Sequence, residues 1–454
     1  MNVGIIGGGV MGLTIAFRLS EAGHRVTVFE AGSQLGGLAT WYDYGDFTWD
    51  KYYHVITSSD SSLIGLLEDL EVASHLEWVE TKTGFLWRGD LISMSNYWEF
   101  LTFPALNLFQ KMRLATGLIR CQLIRNPDRV DGIAAPEWLT KVFGAGVYRA
   151  VWEPLLECKF GALKPLVPAT LMLATIQRYQ NTRNNSQGKE CMGYLRGGGI
   201  RVLLSALEDR IIANGGRIEC GVEVTHTDNA DADHVRVSTA SGAFEFDRVV
   251  STLPSHLLPE TLPQNPELYT QSNKRTEPLG VICATLILDK PCTPFYLTNP
   301  IDRGLPFTGI VELSNLIGAE DRADKTVLML PRYDVPTSPW FDKSDDAIVE
   351  EFVQALRSIW PDIDDRIEAT HVNRERVVQR LWIDGPPESG NPRSTDDGRI
   401  WVVNNELGGQ DTLNNNAVVR VANESLEYMH TSGHWTTPAP QANSTTPLSR
   451  DDVA

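Results

Sequence analysis

The sequence has few cysteines, and none of them is arranged as a disulfide framework or a metal site. The six are widely spaced, with no CxxC pair and no zinc-type spacing to a histidine. This excludes a zinc centre built on a cysteine motif and predicts thiols that are buried and reduced, as expected in the cytoplasm. The cysteines are Cys121, Cys158, Cys191, Cys220, Cys283 and Cys292.

Basic residues are also scarce relative to acidic ones. The chain has 40 lysines and arginines against 58 aspartates and glutamates, a formal net charge of -18. Proteins that bind the phosphate backbone of nucleic acids need basic surfaces, because binding is driven by the release of counterions from the phosphates. We therefore predict a small-molecule substrate and no nucleic-acid partner.

No hydrophobic run is long enough to cross a bilayer. The most apolar long stretch, Tyr97 to Leu123, is interrupted by Pro104, Lys111 and Arg113, and a spanning helix needs about 20 apolar residues in succession. No transmembrane segment is predicted. The stretch is either a core helix or a face that contacts a membrane peripherally, and burial of helix faces in globular proteins favours the core.

The length and composition predict a folded chain of two or three domains. The chain has 454 residues, of which 42% are hydrophobic and 22% charged, and a domain typically takes about 100–200 residues. A strand predicted from Asn2 leaves no room for a charged and apolar leader before it. A cytoplasmic location is therefore expected.

The first forty residues contain a nucleotide-binding pattern. An apolar run at residues 3–6 is followed by Gly-Gly-Gly-Val-Met-Gly at residues 7–12 and then by helical periodicity. In a strand, turn and helix of this kind, Gly7 permits the sharp bend, Gly9 lets the backbone approach a pyrophosphate, and Gly12 lets helix and strand pack closely. The anion would bind to free N–H groups at the helix N-terminus.

A second predicted strand completes the βαβ unit. Residues 25–29 alternate as a strand that ends at Glu30. An acidic residue here accepts hydrogen bonds from the ribose hydroxyls of an adenine dinucleotide and repels a 2′-phosphate. The pattern therefore predicts a dinucleotide and disfavours NADP.

The next segment, Gly32 to Thr40, contains the pair Gly36-Gly37. Here the sequence resembles the flavoprotein superfamily of amine oxidases, protoporphyrinogen oxidases, phytoene desaturases and UDP-galactopyranose mutases. The resemblance implies FAD, with the glycine pair wrapping its phosphates and ribityl chain. Many members have arginine next, where this chain has Leu38, so one phosphate contact is expected to be absent or supplied from elsewhere.

Two later segments extend the resemblance. Gly193 to Gly199, followed by a helix predicted over 202–213 and a strand over 221–224, matches the return of the chain to the FAD domain. The resemblance implies that the backbone at Val224 meets adenine. A strand predicted over 247–254 matches the closing strand of that region.

The C-terminal flavin motif is atypical. A strand predicted over 399–405 is followed by residues 406–411 and a helix from about Asn414, without the Gly-Asp pair of amine oxidases. The resemblance covers about residues 1–430. The FAD contacts that it implies are Gly7, Gly9, Val10, Met11, Gly12, Glu30, Ala31, Gly36, Gly37, Leu38, Ala39, Val224, Thr252, Glu406 and Asp411.

The resemblance implies an α/β fold. A Rossmann-like FAD-binding domain is assembled from three chain segments, and a mixed α+β substrate domain is built from two inserts. In the second insert, strands are predicted over 280–288 and 327–330 and a helix over 345–359. The predicted segments are 1–85, 193–275 and 395–430 for FAD, 86–192 and 276–394 for substrate, and 431–454 as a polar, disordered tail.

Three residues are candidates for catalysis. His54, in Trp-Asp-Lys-Tyr-Tyr-His-Val-Ile-Thr, lies where the mutases have a histidine-containing segment over the flavin, and an imidazole could accept a proton near neutral pH. Lys159 precedes Phe-Gly, as in a bacterial protoporphyrinogen-oxidase-like group, and could hold an anionic group. Gly309 stands where the mutases have arginine, and Arg332 could compensate for its absence.

The resemblance implies a flavin-dependent oxidoreductase. Flavin accepts a hydride while the protein orients the substrate, and dehydrogenation of an organic substrate at a C–N or C–C bond is the preferred function. A redox-neutral mutase acting on a nucleotide sugar is an alternative that Gly309 disfavours. A non-catalytic flavin-binding assembly protein is another, against which the retention of both glycine motifs weighs.

Overall fold

The computed structural model of the chain describes residues 1–95, 97–183, 189–231, 233–268, 275–385, 390–409, 414–433 and 435. The strands are β1 (Asn2–Ile6), β2 (Arg25–Glu30), β3 (Trp41–Asp43), β4 (Thr48–Asp50), β5 (Leu76–Glu80), β6 (Thr83–Trp87), β7 (Asp90–Ser93), β8 (Cys191–Leu195), β9 (Arg217–Cys220), β10 (Val224–Asn229), β11 (Val235–Thr239), β12 (Gly242–Phe246), β13 (Arg248–Ser251), β14 (Thr276–Leu288), β15 (Leu297–Pro300), β16 (Ile310–Glu312), β17 (Thr326–Asp334), β18 (Ile367–Trp382), β19 (Arg393–Ser394) and β20 (Ile400–Val402). The helices are α1 (Val10–Glu21), α2 (Ser61–Asp69), α3 (Tyr97–Thr102), α4 (Leu108–Leu123), α5 (Ala135–Phe143), α6 (Ala145–Val147), α7 (Glu153–Phe160), α8 (Ala169–Asn181), α9 (Ile200–Ala213), α10 (Leu258–Thr261), α11 (Asp345–Leu356), α12 (Ile363–Arg366) and α13 (Asn415–Thr431).

The nucleotide-binding pattern lies in a six-stranded sheet with the order β19-β20-β13-β1-β2-β9. All its pairings are parallel except that of β19 with β20. Val3 and Ile5 are fully buried on the side packed by α1, α9 and α13, whereas Ile6 and Phe29 pack against the small sheet β10-β11-β12. A sheet covered on both faces explains why β1 and β2 consist largely of apolar residues.

A second, seven-stranded sheet has the order β18-β14-β17-β16-β15-β6-β7. Its longest strands, β14 and β18, are antiparallel neighbours, and α11 packs on one face of the sheet. The other face contacts the aromatic segment that contains Tyr44, Trp49 and Tyr52. The sheet therefore combines strands from residues 83–93 with strands from residues 276–382, and the chain is a mixed α/β protein with several sheets.

Most predicted elements exist, with shifted ends. The helix predicted over 202–213 begins at Ile200, and the helix predicted over 345–359 ends at Leu356. The strand predicted over 221–224 begins only at Val224, because Gly221 has a φ of 72° and donates its N–H to the carbonyl of Gly32. The predicted domain boundaries stay a prediction.

Residues 97–123 were predicted to form a core helix, but only one face of α4 is buried. One face buries Lys111, Leu114, Gly117 and Cys121, and the opposite face is exposed. In the described part of the chain, no helix is long and apolar enough to cross a membrane.

The prediction of buried cysteines is only partly correct. All six are free thiols, but only Cys121 and Cys283 are buried, and Cys220 is exposed. Burial raises the pKa of Cys121 and of Cys283 to about 12, so these two thiols stay protonated and unreactive.

The packed chain continues past the predicted start of the tail. Helix α13 runs to Thr431, and the side chain of Trp435 is buried. Its ring meets those of His24 and Trp401 edge to face. Residues 436–454 lie outside the described residues.

A buried glutamate in β16 makes the stability of the second sheet depend on pH. Glu312 is inaccessible to solvent, and burial raises the pKa of its carboxyl from an ordinary 4.5 to about 7, although the N–H groups of Cys292 and Thr293 oppose the rise. The folded protein therefore binds this proton more tightly than the unfolded chain. The contribution of Glu312 to the free energy of unfolding therefore falls as pH rises from about 4.5 to 7.

We expect Glu312→Gln to remove this loss. Relative to the parent protein, the variant should gain about 3 kcal/mol of stability between pH 4.5 and pH 7, measured by denaturant unfolding at both pH values. The exposed Glu320→Gln serves as the control and should show no such change. A difference between Glu312→Gln and the parent that is the same at both pH values would contradict the assignment.

Candidate functional site

The glycine-rich turn after β1 has the geometry that a dinucleotide requires. Gly7 has a φ of 108° and donates its N–H to Phe29 O at 2.8 Å. A Cβ at Gly12 would overlap the carbonyl oxygen of Gly7. The hydroxyl of Thr252 donates to Ile6 O at 3.0 Å and ties β13 to the turn. Turn and helix are thus packed as closely as glycine allows.

The second glycine pair folds back onto this turn. Gly36 has a φ of 111°, Gly37 one of 58°, and the N–H of Gly36 donates to Gly8 O at 2.8 Å. A Cβ at Gly9 would have its nearest neighbour, Gly36 O, 3.9 Å away. Helix α1 begins at Val10 without a side-chain cap. The space at Gly9 and the uncapped helix N-terminus together fit a pyrophosphate.

The other predicted contacts in this region line or support the same turn. Val10, Met11 and Ala39 are buried, Leu38 is half-buried, and Ala31 is exposed. Leu38 packs against the aromatic segment that contains Tyr44, Trp49 and Tyr52, and it offers no polar group to a phosphate.

Glu30 stands at the end of β2 beside the turn. Its carboxylate accepts the N–H of Gly8 and that of Gly32, each at 2.7 Å. Val222 donates its N–H to Glu30 O, which brings the buried Val224 to the same end of the sheet. A carboxylate has about four lone-pair sites, so both oxygens keep capacity for ribose hydroxyls.

Glu406, in the C-terminal motif, forms a buried ion pair and is not exposed to solvent. Its carboxylate accepts the hydroxyl of Ser255 at 2.7 Å and pairs with Arg380 Nε at 3.0 Å. A cavity lined by Glu406, Gly408 and Asn414 lies beside these groups, at the start of α13. Asp411, the other contact predicted for this motif, lies outside the described residues.

Asp50, which was not predicted from the sequence, connects the candidate catalytic segment to the second glycine motif. It is buried at the end of β4. Its Oδ1 accepts the N–H of Ile200, the first residue of α9, at 2.6 Å, and a Cβ at Gly199 would overlap this oxygen. Its Oδ2 lies 3.1 Å from His54 Nδ1. One carboxylate therefore caps a helix and orients an imidazole.

The two contacting glycine turns, residues 7–12 and 36–40, form a cradle that one hairpin joins to the carboxylate of Asp50. Strands β3 and β4 form a hairpin directly after Thr40, whose carbonyl accepts the N–H of Lys51. The loop that folds over the glycine-rich turn thus leads through one hairpin to Asp50 and His54. The structure brings the predicted residue His54 against Asp50, and the neighbouring Tyr53 contacts Tyr333 of the seven-stranded sheet.

Lys159 lies in an aromatic cluster with Tyr53 and Tyr333. Its Nζ is 5.3 Å from the centroid of the Tyr333 ring, and Tyr333 shares a 2.9 Å hydrogen bond with the hydroxyl of Tyr53. Lys159 forms no salt bridge with any described residue. Burial lowers its pKa and raises those of Tyr53 and Tyr333, so both phenols are neutral at physiological pH.

Arg332 does not join this cluster. It pairs with Asp334 at 2.7 Å, donates to Pro306 O at 2.8 Å and stacks over Trp340. Since adjacent residues of a strand point to opposite faces, Arg332 lies on the face of β17 away from Tyr333. Its contact with Pro306 O places it beside the segment that contains Gly309, and its predicted role of replacing the absent arginine stays a prediction.

The residues of the candidate site that sequence reasoning missed are Asp50, Tyr53 and Tyr333. The run Trp-Asp-Lys-Tyr-Tyr-His contains the first two, but nothing local distinguishes Tyr53 from the buried Tyr52. Tyr333 follows Arg332, and only the strand's orientation selects between them.

A family model described as flavin containing amine oxidoreductase matches residues 11–385. The 15-cis-phytoene desaturase of Glycine max is 24% identical over 392 residues, which cover 80% of this chain and 66% of the desaturase. The chain thus spans about two thirds of the length of that relative.

Solved structures share the fold. An oxidoreductase from Methanosarcina mazei superposes with a TM-score of 0.68 at 19% identity, covering 94% of this chain and 100% of that one. Cyclohexylamine oxidase from Brevibacterium oxydans gives a TM-score of 0.65 at 14% identity, covering 95% and 99%. At these identities the likeness concerns the fold alone.

Proposed function

The chain belongs to the family of flavin-containing amine oxidoreductases, and we propose that it is an FAD-dependent dehydrogenase of an organic substrate. The observation that carries the proposal is the pair of contacting glycine turns beside Glu30, with space at Gly9 for a pyrophosphate. We further propose that the six-stranded sheet and its helices form the FAD-binding domain and that the seven-stranded sheet belongs to the substrate domain.

In this proposal, different residues of the cradle bind different parts of the dinucleotide. The N-terminus of α1 and Gly36 hold the pyrophosphate, Glu30 holds the adenosine ribose, and the backbone at Val224 lies against adenine. When bound, flavin accepts a hydride from the substrate. The boundary between the sheets, where His54 and Lys159 lie, is the place for the substrate.

The charge of Lys159 favours a C–C bond over a C–N bond as the site of dehydrogenation. A protonated amine entering the cluster would meet an ammonium group without an acidic partner among the described residues. Like charges in a partly buried site repel strongly. An apolar substrate avoids this cost and can pack against Tyr53 and Tyr333. The relatedness to a phytoene desaturase supports the same choice.

His54 and Asp50 supply a proton-accepting pair. The 3.1 Å contact fixes the Nδ1 side of the imidazole on the carboxylate, which leaves Nε2 as the atom that takes a proton released when the substrate is oxidised.

The test is anaerobic reduction of the purified flavoprotein by candidate substrates. We expect the visible flavin spectrum to bleach with an apolar polyene and to remain oxidised with primary amines. Bleaching by amines alone would move the reaction to a C–N bond. If only dithionite-reduced protein turned over, and converted a UDP-sugar without net oxidation, the mutase alternative would replace this proposal. A protein that binds no FAD would remove its basis.

Replacing the lysine tests the substrate side separately from the cofactor side. We expect Lys159→Met to slow anaerobic bleaching at least about tenfold at unchanged flavin content, because the variant loses the amino group that holds the Tyr333 ring against which the apolar substrate packs. Lys189→Met, at a surface lysine paired with Glu80, is the matched control. An unchanged bleaching rate in Lys159→Met would exclude Lys159 from the site.

A further inference from the structure

Helices α3 and α4 present an apolar surface to solvent. Of the ten large hydrophobic side chains that are exposed in the described part of the chain, six lie here, each at least 60% exposed. Exposed apolar side chains concentrated in this way mark contact sites, because scattered single ones are the norm. The α3–α4 face consists of Trp98, Leu108, Phe109, Met112, Ile119 and Leu123.

The members of the α3–α4 face on α4 form one stripe. With 3.6 residues per turn, the side chains from Leu108 to Leu123 fall within about 100° of arc. Arg120 and Arg113 adjoin one edge of this arc. The solvent-facing side of α4 therefore has an apolar stripe with basic side chains along one edge.

The helix is held rigidly with this stripe outward. On its inner side Gly117 is so close to Phe143 that a Cβ would overlap the ring. Gln177 of α8 donates its side-chain amide to the carbonyls of Cys121 and Ile124, each at 2.9 Å. These contacts keep the helix from rotating to bury its apolar stripe.

The charge around the face is opposite to that of the whole chain. Apart from Lys111, which is buried on the opposite face, helix α4 contains Arg113 and Arg120 and no acidic residue, although the chain carries a net charge of -18. Arg120 and Arg125 are exposed and form no ion pair with any described residue. A local basic excess beside apolar side chains is complementary to an anionic lipid surface.

We propose that the α3–α4 face docks this protein onto the surface of an anionic lipid bilayer. The apolar side chains enter the boundary between headgroups and acyl chains, and the arginines contact lipid phosphates. Helix α4 has 16 residues, about 24 Å at 1.5 Å per residue, so it lies in the interface plane rather than crossing. A second copy fits less well, because two-fold pairing would bring the same arginines together.

This proposal goes beyond the proposed function, since docking requires neither flavin nor substrate. The test is flotation of the full-length protein with phosphatidylcholine vesicles, with and without phosphatidylglycerol. The variants are Ile119→Gln/Leu123→Gln for the apolar stripe and Arg120→Gln/Arg125→Gln for the rim. Ile212→Gln, an isoleucine of similar exposure on α9, is the matched control.

We expect the parent protein to float with vesicles that contain phosphatidylglycerol. The apolar double variant should lose at least about tenfold in partitioning, the arginine variant about 25-fold at two charges, and Ile212→Gln nothing. Melting temperatures should stay unchanged, because surface substitutions are close to neutral. Absence of flotation, or equal loss in Ile212→Gln, would overturn the proposal. A parent dimer that becomes monomeric in the apolar variant, without vesicle binding, would assign the face to a second copy instead.

Discussion

Gly12→Ala should give a protein that retains no FAD after purification. The new Cβ would overlap the carbonyl oxygen of Gly7 and approach Thr252 Oγ1 to 3.2 Å. Since both neighbours are held by the sheet, α1 must move away from the turn. Such overpacking costs about 1–3 kcal/mol, and the displaced helix N-terminus no longer faces the pyrophosphate.

The measurement is the ratio of flavin absorbance to protein, together with the melting temperature. We expect flavin affinity to fall by about 100-fold or more, because binding depends on N–H groups placed by this helix. Gly309→Ala is the matched control, since its Cβ would have ordinary contacts, the nearest at 3.4 Å. Stoichiometric flavin in Gly12→Ala would mean that the cradle is not where FAD binds.

Asp50→Ala should impair both stability and turnover. The buried carboxylate accepts the first N–H of α9 and orients His54, so its removal leaves a helix N-terminus without its cap and an imidazole without its partner. We expect a loss of about 2–3 kcal/mol in the free energy of unfolding. The rate of anaerobic bleaching should fall by about 100-fold or more.

Two further variants separate these effects. Asp50→Asn keeps an acceptor for the N–H of Ile200 but no charge for His54, so it should recover most of the stability and little of the rate. Asp46→Ala, an exposed aspartate in the turn between β3 and β4, should change neither. If Asp50→Ala bleached at the parental rate, His54 would act independently of this carboxylate or not at all.

The nucleotide-binding part was predictable because its contacts are local. Gly7, Gly12 and Glu30 lie within one βαβ unit, and the acceptance of the Gly8 N–H by Glu30 joins residues only 22 positions apart. The conformations involved are ones that glycine alone adopts cheaply. The sequence by itself therefore determined the turn, the end of β2 and, through the resemblance, the flavin family.

The arrangement of the candidate catalytic residues depends on contacts between residues that are distant in the chain. Asp50 meets Ile200 across 150 residues, and Tyr53 meets Tyr333 across 280. Whether Arg332 or Tyr333 faces Tyr53 depends on the register of β17 against β14, in which Arg332 opposes Ile282 and Tyr333 opposes Val281. A one-residue shift would exchange the two faces.

The exposed stripe of α4 likewise depends partly on the local sequence and partly on tertiary contacts. The sequence determined that residues 97–123 are largely apolar and carry basic residues. It did not determine which side of the helix is covered, because that depends on α5 and α8 packing onto Gly117 and Cys121. Local backbone chemistry is encoded in short segments, whereas burial is a property of the partners that the tertiary fold supplies.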